Sequence, residues 1–255
     1  MTKLPITPSF RLDGKRALVT GAGRGIGLAA AAALAEYGAA VTLVSRNPDE
    51  LNAAVAAIIA AGGIAGSLVL DVTDSEALAA AIEATDPFDI FVNNAGTNRP
   101  KTTVAVTYDD YDAVMELNVR AAYFAAQAVA KRLLAEDMPG SIINISSQMG
   151  HVGGANRSLY CASKWAMEGF TKAMAVDFAP FGIRVNTICP TFIETSMTRP
   201  FLDTNGFRET VLSKIKLGRL GQVEDLMGPI VFLASDASAL MTGSAVLVDG
   251  GWTAD

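Results

Sequence analysis

The sequence is poor in the residues that build metal centres and disulfide frameworks. Its 255 residues include one histidine, His151, and two cysteines, Cys161 and Cys189. A single histidine excludes a histidine-rich metal centre, and we predict no metal site. Both cysteines lie in apolar stretches, which favours reduced thiols over a disulfide and indicates a reducing, cytoplasmic compartment.

Concentrated charge and long apolar runs are also lacking. The net charge is −6 and no block of lysine or arginine occurs, so we expect neither a nucleic-acid partner nor an anionic membrane surface. Residues 1–11 lack the apolar core of a signal peptide. The uncharged stretch 52–70 is interrupted by Gly62, Gly63 and Gly66, which favours a helix, a glycine stop and a strand over a membrane span of about 20 residues.

What the sequence does contain is a regular alternation of short apolar runs and longer segments at helical spacing. The short runs are apolar at consecutive positions, which is typical of strands covered on both faces of a parallel sheet. The alternation predicts one α/β domain over residues 1–255, with a doubly wound, seven-stranded parallel Rossmann sheet and helices on both faces. The predicted strands are residues 16–20, 40–44, 64–70, 89–92, 141–146, 183–188 and 245–248, and the clearest helices are residues 26–37, 48–61, 75–84, 112–135 and 158–178.

Two of these helices, residues 112–135 and 158–178, are apolar on more than one face. A helix that covers a sheet on one side normally presents polar residues on the other. The second apolar face predicts subunit contact and hence a homo-oligomer. The alternative is a wider core to which flanking loops contribute.

A glycine-rich turn, Thr20–Gly27, joins the first predicted strand to the first helix. Glycines such as Gly21, Gly25 and Gly27 let the backbone approach a pyrophosphate, and the helix N-terminus beside Ile26 offers free N–H groups to it. Any tight strand–helix turn can use glycine, but the position at the first junction of an α/β chain favours a dinucleotide site.

The end of the second strand indicates which dinucleotide binds. A site for NAD usually carries an acid there to bond the ribose hydroxyls, whereas this strand ends in Ser45 and Arg46. Together with Arg24, Arg46 fits a 2′-phosphate, so we predict NADP(H) in preference to NAD(H). The alternative is that both arginines are simply solvated.

A tyrosine and a lysine four residues apart form the candidate acid/base. Tyr160 and Lys164 share one face of a predicted helix. A free phenol titrates near 10, and a neighbouring ammonium favours its ionised form. Such a pair suits the interconversion of a carbonyl and an alcohol. Upstream, Ser146 and Ser147 end the predicted strand 141–146, at the edge of the sheet where α/β proteins bind ligands.

Taken in order along residues 12–252, these motifs resemble the short-chain dehydrogenase/reductase family. The resemblance is nearest to its sugar-acid and polyol dehydrogenases and its 3-oxoacyl reductase-like members. No single motif is specific, but the whole set in family order is. The motifs are Thr20–Gly27, Asp71 with Val72, residues 93–96, Asn118, Ser147, Tyr160 with Lys164, and residues 249–251.

The resemblance implies a catalytic role for four residues. Tyr160 exchanges a proton with the substrate oxygen, and Lys164 lowers the pKa of the tyrosine and holds the nicotinamide ribose. Ser147 bonds the substrate oxygen, because it lies thirteen residues before the tyrosine and three before Gly150, as the family serine does. Asn118 is similar to the family residue that positions a proton-relay water.

The resemblance also implies the cofactor contacts. Asp71 and Val72 meet the adenine, Asn93 lies on the adenosine side, and Ile193 and Thr195 hold the carboxamide. One departure is Thr191, which follows Pro190 where the family usually has glycine, so the nicotinamide loop is expected to differ in shape. The predicted cofactor residues are Gly21, Arg24, Gly25, Ile26, Gly27, Ser45, Arg46, Asp71, Val72, Asn93, Ala95, Gly96, Tyr160, Lys164, Ile193 and Thr195.

The predicted substrate side includes residues 191–218, which correspond to a substrate lid in the family and mix aromatic and polar residues. An ordinary surface helix is the alternative. Arg99 and Lys101 occupy a position where sugar-acid dehydrogenases carry a basic residue that meets a carboxylate, and a solvated loop is equally compatible. His151 is either a substrate contact or an incidental loop residue. The predicted substrate-binding residues are Arg99, Ser147, His151 and Tyr160.

The sequence therefore predicts an oxidoreductase that transfers a hydride between NADP(H) and a small secondary alcohol or ketone, with a sugar acid or polyol as the candidate substrate. The family resemblance implies a tetramer. A 3-oxoacyl thioester reductase is the main alternative, but Met138 and Phe181 stand where such enzymes present arginines to an acidic carrier. A catalytically silent binding protein is the second alternative, although the tyrosine, lysine and serine are all retained.

Overall fold

Seven parallel strands form one sheet at the centre of the computed structural model, which describes residues 2–196, 198–202 and 206–254. Their order is β3-β2-β1-β4-β5-β6-β7, and every pairing is parallel. This confirms the predicted α/β sheet. The strands are β1 Arg16–Thr20, β2 Ala40–Ser45, β3 Ile64–Val69, β4 Ile90–Asn93, β5 Gly140–Ile145, β6 Ile183–Pro190 and β7 Ala245–Val248.

Helices connect the strands and cover both faces of the sheet. Asn47 begins the second helix as its N-cap, because its side-chain oxygen accepts hydrogen bonds from the backbone N–H groups of Asp49 and Glu50. None of the helices formed by the described residues is long and apolar enough to cross a membrane. The helices are α1 Gly25–Glu36, α2 Pro48–Ala60, α3 Ser75–Glu83, α4 Tyr108–Met115, α5 Ala122–Ala135, α6 Ser158–Phe178, α7 Arg199–Leu202, α8 Phe207–Leu212 and α9 Glu224–Ala234.

Two separate apolar cores lie on the two faces of the sheet. One is formed where α1, α2 and α9 pack, with Leu34 and Ile230 buried in it. The other is formed where α3, α5 and α6 pack, with Leu78 and Met174 buried in it. Burial of apolar area on both faces explains why most strands are apolar at consecutive positions.

The strand β3 departs from that pattern. It pairs only with β2 and ends the sheet, and Ile64 is 67% exposed and Val69 54% exposed. The faces of β3 are therefore less covered than those of the central strands, so this strand is an exception to the pattern that most of the apolar runs follow.

The helix predicted over residues 112–135 is longer and is interrupted. It begins at Tyr108, because Thr107 and Asp110 form a reciprocal capping box ahead of it. Between α4 and α5 the chain is a π-helix over Glu116–Ala121. Extra residues of this kind within a helix commonly mark functional positions, and Asn118 lies in this segment.

The segment 191–218 forms two short helices, α7 and α8, rather than one long one. Its side chains contribute to a small apolar cluster that is separate from the two cores, with Leu202, Val211 and Ile215 buried in it and Trp252 packed against it. Met197, also in the predicted lid, lies outside the described residues, as does the side chain of Phe201.

A buried polar network ties the centre of the sheet to the helices on one face. The Nδ2 of Asn93 donates to the oxygen of Ala122, at 2.8 Å, and to Oδ1 of Asn144, at 2.9 Å. The Nδ2 of Asn144 in turn donates to Oγ1 of Thr171, at 2.8 Å. Since buried amides are costly unless they are paired, this network fixes β4 and β5 against α5 and α6.

Replacing Asn144 with alanine is expected to destabilise the fold by about 1–3 kcal/mol, because Asn93 and Thr171 each lose a buried partner. The measurement is the urea midpoint at a fixed protein concentration. Ser213→Ala, which removes an exposed hydroxyl bonded only to the oxygen of Thr210, is the control and should stay within about 0.5 kcal/mol of the natural protein. Equal midpoints for the two variants would contradict this account.

Candidate active site

A cavity of about 890 Å³ opens at the carboxyl edge of the sheet. Parallel strands bring their carboxyl ends to the same edge, and the order in which strands are added to the sheet reverses between β1 and β4, which is where α/β sheets bind ligands. The cavity joins the glycine turn to the segment after β6. The predicted residues that line it are Gly21, Arg24, Gly25, Ile26, Ser45, Arg46, Asp71, Val72, Ala95, Gly96, Ser147, Tyr160, Lys164, Ile193 and Thr195.

Five predicted residues are absent from the lining as far as the structure describes it. Gly27 and Asn118 lie behind the wall, and Asn93 is buried in the polar network under it. Arg99 and His151 point to other partners. Gly27, Asn93 and Asn118 support the wall through close packing or hydrogen bonds. Arg99 and His151 do not line the cavity in which their predicted substrate contacts would occur.

The glycine turn is shaped as a cradle for a phosphate group. Gly21 and Gly25 have positive φ values of 63° and 57°, a conformation that glycine adopts without steric cost. A Cβ at Gly27 would lie 2.3 Å from the oxygen of Gly21. The first turn of α1 has no side-chain cap, so its N–H groups remain available to an anion in the cavity.

Two exposed arginines stand at the far end of the cavity from Tyr160. The Nη1 of Arg46 lies 3.3 Å from Oδ2 of Asp71, and the Nη1 of Arg24 lies 3.1 Å from Oε1 of Glu50. Glu50 also lines the cavity. Both ion pairs are exposed and therefore weak, so a phosphate can compete for the arginines.

Asn94, which the sequence interpretation did not single out, lines the cavity in place of Asn93. Its Nδ2 donates to the oxygens of Thr20, at 2.9 Å, and Gly21, at 3.2 Å. Asn94 thereby holds the glycine turn against the end of β4. Successive residues in extended backbone point to opposite sides. Asn93 therefore bonds within the buried network, whereas Asn94 bonds to the glycine turn.

Tyr160, Ser147 and Lys164 converge on one wall. Burial raises the pKa of Tyr160 above its usual value, while a hydrogen bond from Ser147 and the positive charge of Arg157 act in the opposite direction. The Nζ of Lys164 lies 5.7 Å from the centre of the tyrosine ring and donates to the oxygen of Ile145 at 2.8 Å. The groups that favour phenolate in this structure are thus Ser147 and Arg157.

Lys164 is almost fully buried, with 5% of its surface exposed. Burial lowers its pKa to about 8, against the electrostatic effects of Cys189 and Glu168, which raise it. The ammonium is therefore easier to deprotonate than that of an exposed lysine, and an added negative group in the cavity would favour its charged form.

Asn118 is fully buried in the π-helical segment and contacts the loop after β4. Its Oδ1 accepts from the backbone N–H of Thr97 at 2.8 Å, and its Nδ2 donates to the oxygen of Thr97 and to Oγ of Ser163. Both ends of the amide are therefore committed within the protein. Its side chain links the loop after β4 to α6, the helix that carries Tyr160.

His151 is turned towards a buried cluster beneath the site. Its Nε2 lies 3.3 Å from Sγ of Cys189 and 3.7 Å from Oε1 of Glu168. Burial and the charge of Glu168 raise the pKa of Cys189 to about 12, so the thiol donates to the carboxylate. The structure thus supports the incidental position of His151 over substrate contact.

Arg99 is held outside the cavity by an acid on α4. Its Nη1 lies 3.3 Å from Oδ1 of Asp110, and Lys101 binds the other carboxylate oxygen. Hydrogen bonds from Lys101 and Thr107 hold the pKa of Asp110 well below its usual value. Arg99 is therefore paired with Asp110 and does not line the cavity as described, and its contact with a substrate stays a prediction.

Two residues that sequence reasoning missed face the cavity close to Tyr160. Gln148 follows the catalytic serine candidate directly and is 1% exposed, and Arg157 immediately precedes α6 and is 7% exposed. In the sequence, Gln148 is marked only by its adjacency to Ser147, and Arg157 only by its position three residues before Tyr160. Neither spacing reveals by itself that the side chains turn inward.

A family model described as enoyl-(acyl carrier protein) reductase matches residues 21–253. Gluconate 5-dehydrogenase from Gluconobacter oxydans is 39% identical over 248 residues, covering 96% of each chain. Human L-xylulose reductase is 39% identical over 243 residues, covering 95% of this chain and 98% of that protein. This chain belongs to the short-chain dehydrogenase/reductase family.

Solved structures agree with that membership. A gluconate 5-dehydrogenase from Burkholderia cenocepacia, in complex with NADP and tartrate, superposes with a TM-score of 0.92 at 38% identity, covering 96% of this chain and 98% of that one. A short-chain type dehydrogenase/reductase from Mycobacterium marinum superposes with a TM-score of 0.92 at 37% identity, with the same coverage. The protein is thus a nicotinamide-dependent oxidoreductase that acts on CH–OH groups.

In this short-chain dehydrogenase/reductase, Thr191 takes the place of the usual glycine without backbone strain. Among the described residues the non-glycine positions with positive φ are Asp137 and Asn156, so Thr191 does not adopt a glycine-type conformation. Its N–H donates to the oxygen of Val248 at 3.2 Å, and its buried Oγ1 finds no hydrogen-bond partner within the described structure. The substitution therefore adds a hydroxyl to the cavity wall.

Gly27→Ala tests the cradle. The added Cβ would meet the oxygen of Gly21 at 2.3 Å and Nδ2 of Asn94 at 2.5 Å, so the turn must shift. A shift costing about 1–3 kcal/mol is expected to weaken NADP binding roughly tenfold to a hundredfold. Fluorescence titration with NADPH measures this. Gly66→Ala, where a Cβ meets nothing within 4 Å, is the control, and unchanged binding by the Gly27 variant would refute the cradle.

Proposed function

We propose that this enzyme transfers a hydride between NADP(H) and a small secondary alcohol or ketone carried by a sugar acid or polyol. The observation that supports it most is the convergence of Tyr160, Ser147 and Lys164 on one wall of the cavity. The relatives named gluconate 5-dehydrogenase and L-xylulose reductase support the substrate class.

The proposed chemistry assigns a separate task to each of these residues. In oxidation, the hydroxyl of Ser147 holds the substrate oxygen and Tyr160, as phenolate, takes its proton. The bound nicotinamide supplies or accepts the hydride at the same carbon. In reduction, Tyr160 gives the proton to the forming alkoxide and Ser147 donates a hydrogen bond to it. Lys164 holds a positive charge behind the tyrosine, and Asn118 fixes α6 through Ser163.

The further cofactor contacts remain proposals. We assign the pyrophosphate to the glycine turn and α1, and the adenine to Asp71 and Val72, which line the same end of the cavity. Ile193 and Thr195 are assigned to the nicotinamide carboxamide. Support comes from the lining of the cavity and from relatives solved with NADP.

Preference for NADP(H) over NAD(H) is proposed from Ser45, Arg46 and Arg24. Arg46→Ala is expected to weaken NADP binding roughly tenfold to a hundredfold, because bonds to a charged phosphate contribute about 1.5–3 kcal/mol. NAD binding should change little, since the pair with Asp71 is exposed. Titration with both cofactors measures the ratio. Arg11→Ala is the control, and an equal loss for NADP and NAD would reject the 2′-phosphate assignment.

Assembly and cellular setting are proposed from the surface. Tyr123 and Phe124 on α5 and Trp165 and Val176 on α6 are exposed apolar side chains, which supports a homo-oligomer, with a tetramer as the family-based proposal. The free state of Cys161 and Cys189 supports a cytoplasmic setting.

We also propose that residues 1–255 act as one domain in which 191–218 is the substrate lid, supported by its separate apolar cluster.

A 3-oxoacyl thioester reductase is the second candidate. The matching family model is described as an enoyl-(acyl carrier protein) reductase, which supports an acyl-carrier substrate but not the 3-oxo group. Met138 and Phe181, at the positions of carrier-binding arginines, oppose this candidate. A panel of sugar acids, polyols, cyclic ketones and 3-oxoacyl thioesters, each with NADP and NAD, separates the candidates. Turnover confined to thioesters would reject the sugar-acid or polyol proposal, and binding without turnover would favour a silent protein.

Tyr160→Phe tests the acid/base. Removing the hydroxyl is expected to lower kcat by about 10²–10⁴-fold, the usual contribution of a positioned proton-transfer group. NADP binding should persist, because the ring remains in the wall. Tyr37→Phe, at the end of α1, is the matched control with unchanged kcat. A Tyr160→Phe enzyme that keeps most of its turnover would overturn the assignment.

A further inference from the structure

An arginine is buried in the cavity wall beside the reacting group. Arg157 is 7% exposed, lines the cavity, and immediately precedes α6, where its charge acts on Tyr160 three residues later. Its Cζ lies 5.9 Å from the centre of the Phe192 ring, a cation–π contact. The edge of the guanidinium, which carries its donors, is the part suited to a planar anion.

This position is electrostatically costly for a cation. Burial lowers the pKa of Arg157, and Tyr160 and Cys161 act against this effect. A carboxylate in the cavity would match the guanidinium with two parallel charge-assisted hydrogen bonds.

The same cavity is lined by a buried amide whose polar atoms have no hydrogen-bond partner within the described structure. Gln148 is 1% exposed, and neither its Oε1 nor its Nε2 finds a hydrogen-bond partner among the described residues. Buried polar atoms are nearly always bonded, so an unbonded amide on a cavity wall indicates a ligand. Its Nε2 donates and its Oε1 accepts, which suits a carboxylate flanked by hydroxyl groups.

We propose that Arg157 and Gln148 form a subsite for the carboxylate and adjacent hydroxyls of a polyhydroxy acid, whose secondary alcohol reacts at Tyr160. This inference rests on the proposed function and narrows it from sugar acids or polyols to sugar acids. It also transfers the carboxylate contact from Arg99, whose charge is paired with Asp110, to a residue within the cavity.

The discriminating experiment compares an acid with its neutral counterpart. Steady-state oxidation of D-gluconate and D-glucitol with NADP is measured for the natural enzyme, Arg157→Met and Arg132→Met. For Arg157→Met we expect KM for D-gluconate to rise tenfold or more, and the ratio of kcat/KM for acid over polyol to fall at least tenfold. Arg132→Met is the control, because Arg132 lies in the last turn of α5 and pairs with Glu136, and it should leave the ratio unchanged. The ratio cancels any common effect of Arg157 on Tyr160.

A second variant covers the case in which Arg157→Met fails to fold. Gln148→Glu changes the size of the side chain very little but adds a negative charge beside the proposed carboxylate. KM for D-gluconate should therefore rise tenfold or more, while KM for D-glucitol changes little. Equal losses for acid and polyol in both variants would overturn the subsite. A selective loss in Arg99→Ala that is absent in Arg157→Met would return the contact to Arg99.

Binding without turnover separates this inference from the proposed function. D-gluconate is titrated calorimetrically into the enzyme saturated with NADPH, a complex that cannot oxidise it. Binding that is lost in Arg157→Met supports the subsite, even if the natural enzyme oxidises neither compound and the proposed function fails. Absence of binding by the natural enzyme, or equal binding by Arg157→Met, overturns the subsite, while oxidation of D-glucitol would leave the proposed function standing.

Discussion

The parallel direction of the seven strands is the constraint on which the site depends. Because all of them run the same way, their carboxyl ends meet at one edge, and residues far apart in the chain become neighbours there. The glycine turn after β1, Ser45 at the end of β2, Ser147 after β5 and Pro190 at the end of β6 line one cavity for this reason. Reversing any one central strand would separate the cofactor side from Tyr160.

The local features that the sequence specifies were predictable. Apolar runs located the strands to within one or two residues, and Asn47 with Pro48 marked the start of α2. The glycine turn was predictable because close packing at Gly21 and Gly27 excludes a side chain. These features depend on neighbours in the chain, so a single sequence is enough to recognise them.

Features that depend on long-range partners were not predictable. Arg99 and His151 carry suitable chemistry in suitable loops, but Asp110 and Cys189 engage them, and nothing local in the sequence announces those pairings. Asn93 and Asn94 differ by one position and hence by the side of the strand to which they point. The π-helical segment around Asn118 was hidden for a similar reason, since an unbroken apolar pattern runs through it.

Several buried polar groups without a hydrogen-bond partner among the described residues lie in the cavity wall, where a ligand would bind. Gln148 and Oγ1 of Thr191 find no partner within the described residues, and Lys164 carries a pKa lowered by burial. Away from the cavity, Asn93, Asn144 and Thr171 satisfy one another in a buried network. The contrast indicates that a bound ligand offsets the desolvation cost of these unpaired polar groups. The same groups can then discriminate between ligands that pair with them and ligands that do not.

The proposed subsite would couple substrate recognition to proton transfer through Arg157. Its positive charge lowers the pKa of Tyr160, against the larger effect of burial, which raises it. In the proposed binding mode a carboxylate neutralises that charge, so the pKa of Tyr160 rises when a sugar acid binds. The protonated phenol is the form that reduction requires, whereas oxidation requires the phenolate. A bound acid therefore shifts the proton balance towards reduction of a keto acid, an effect that a neutral polyol cannot exert.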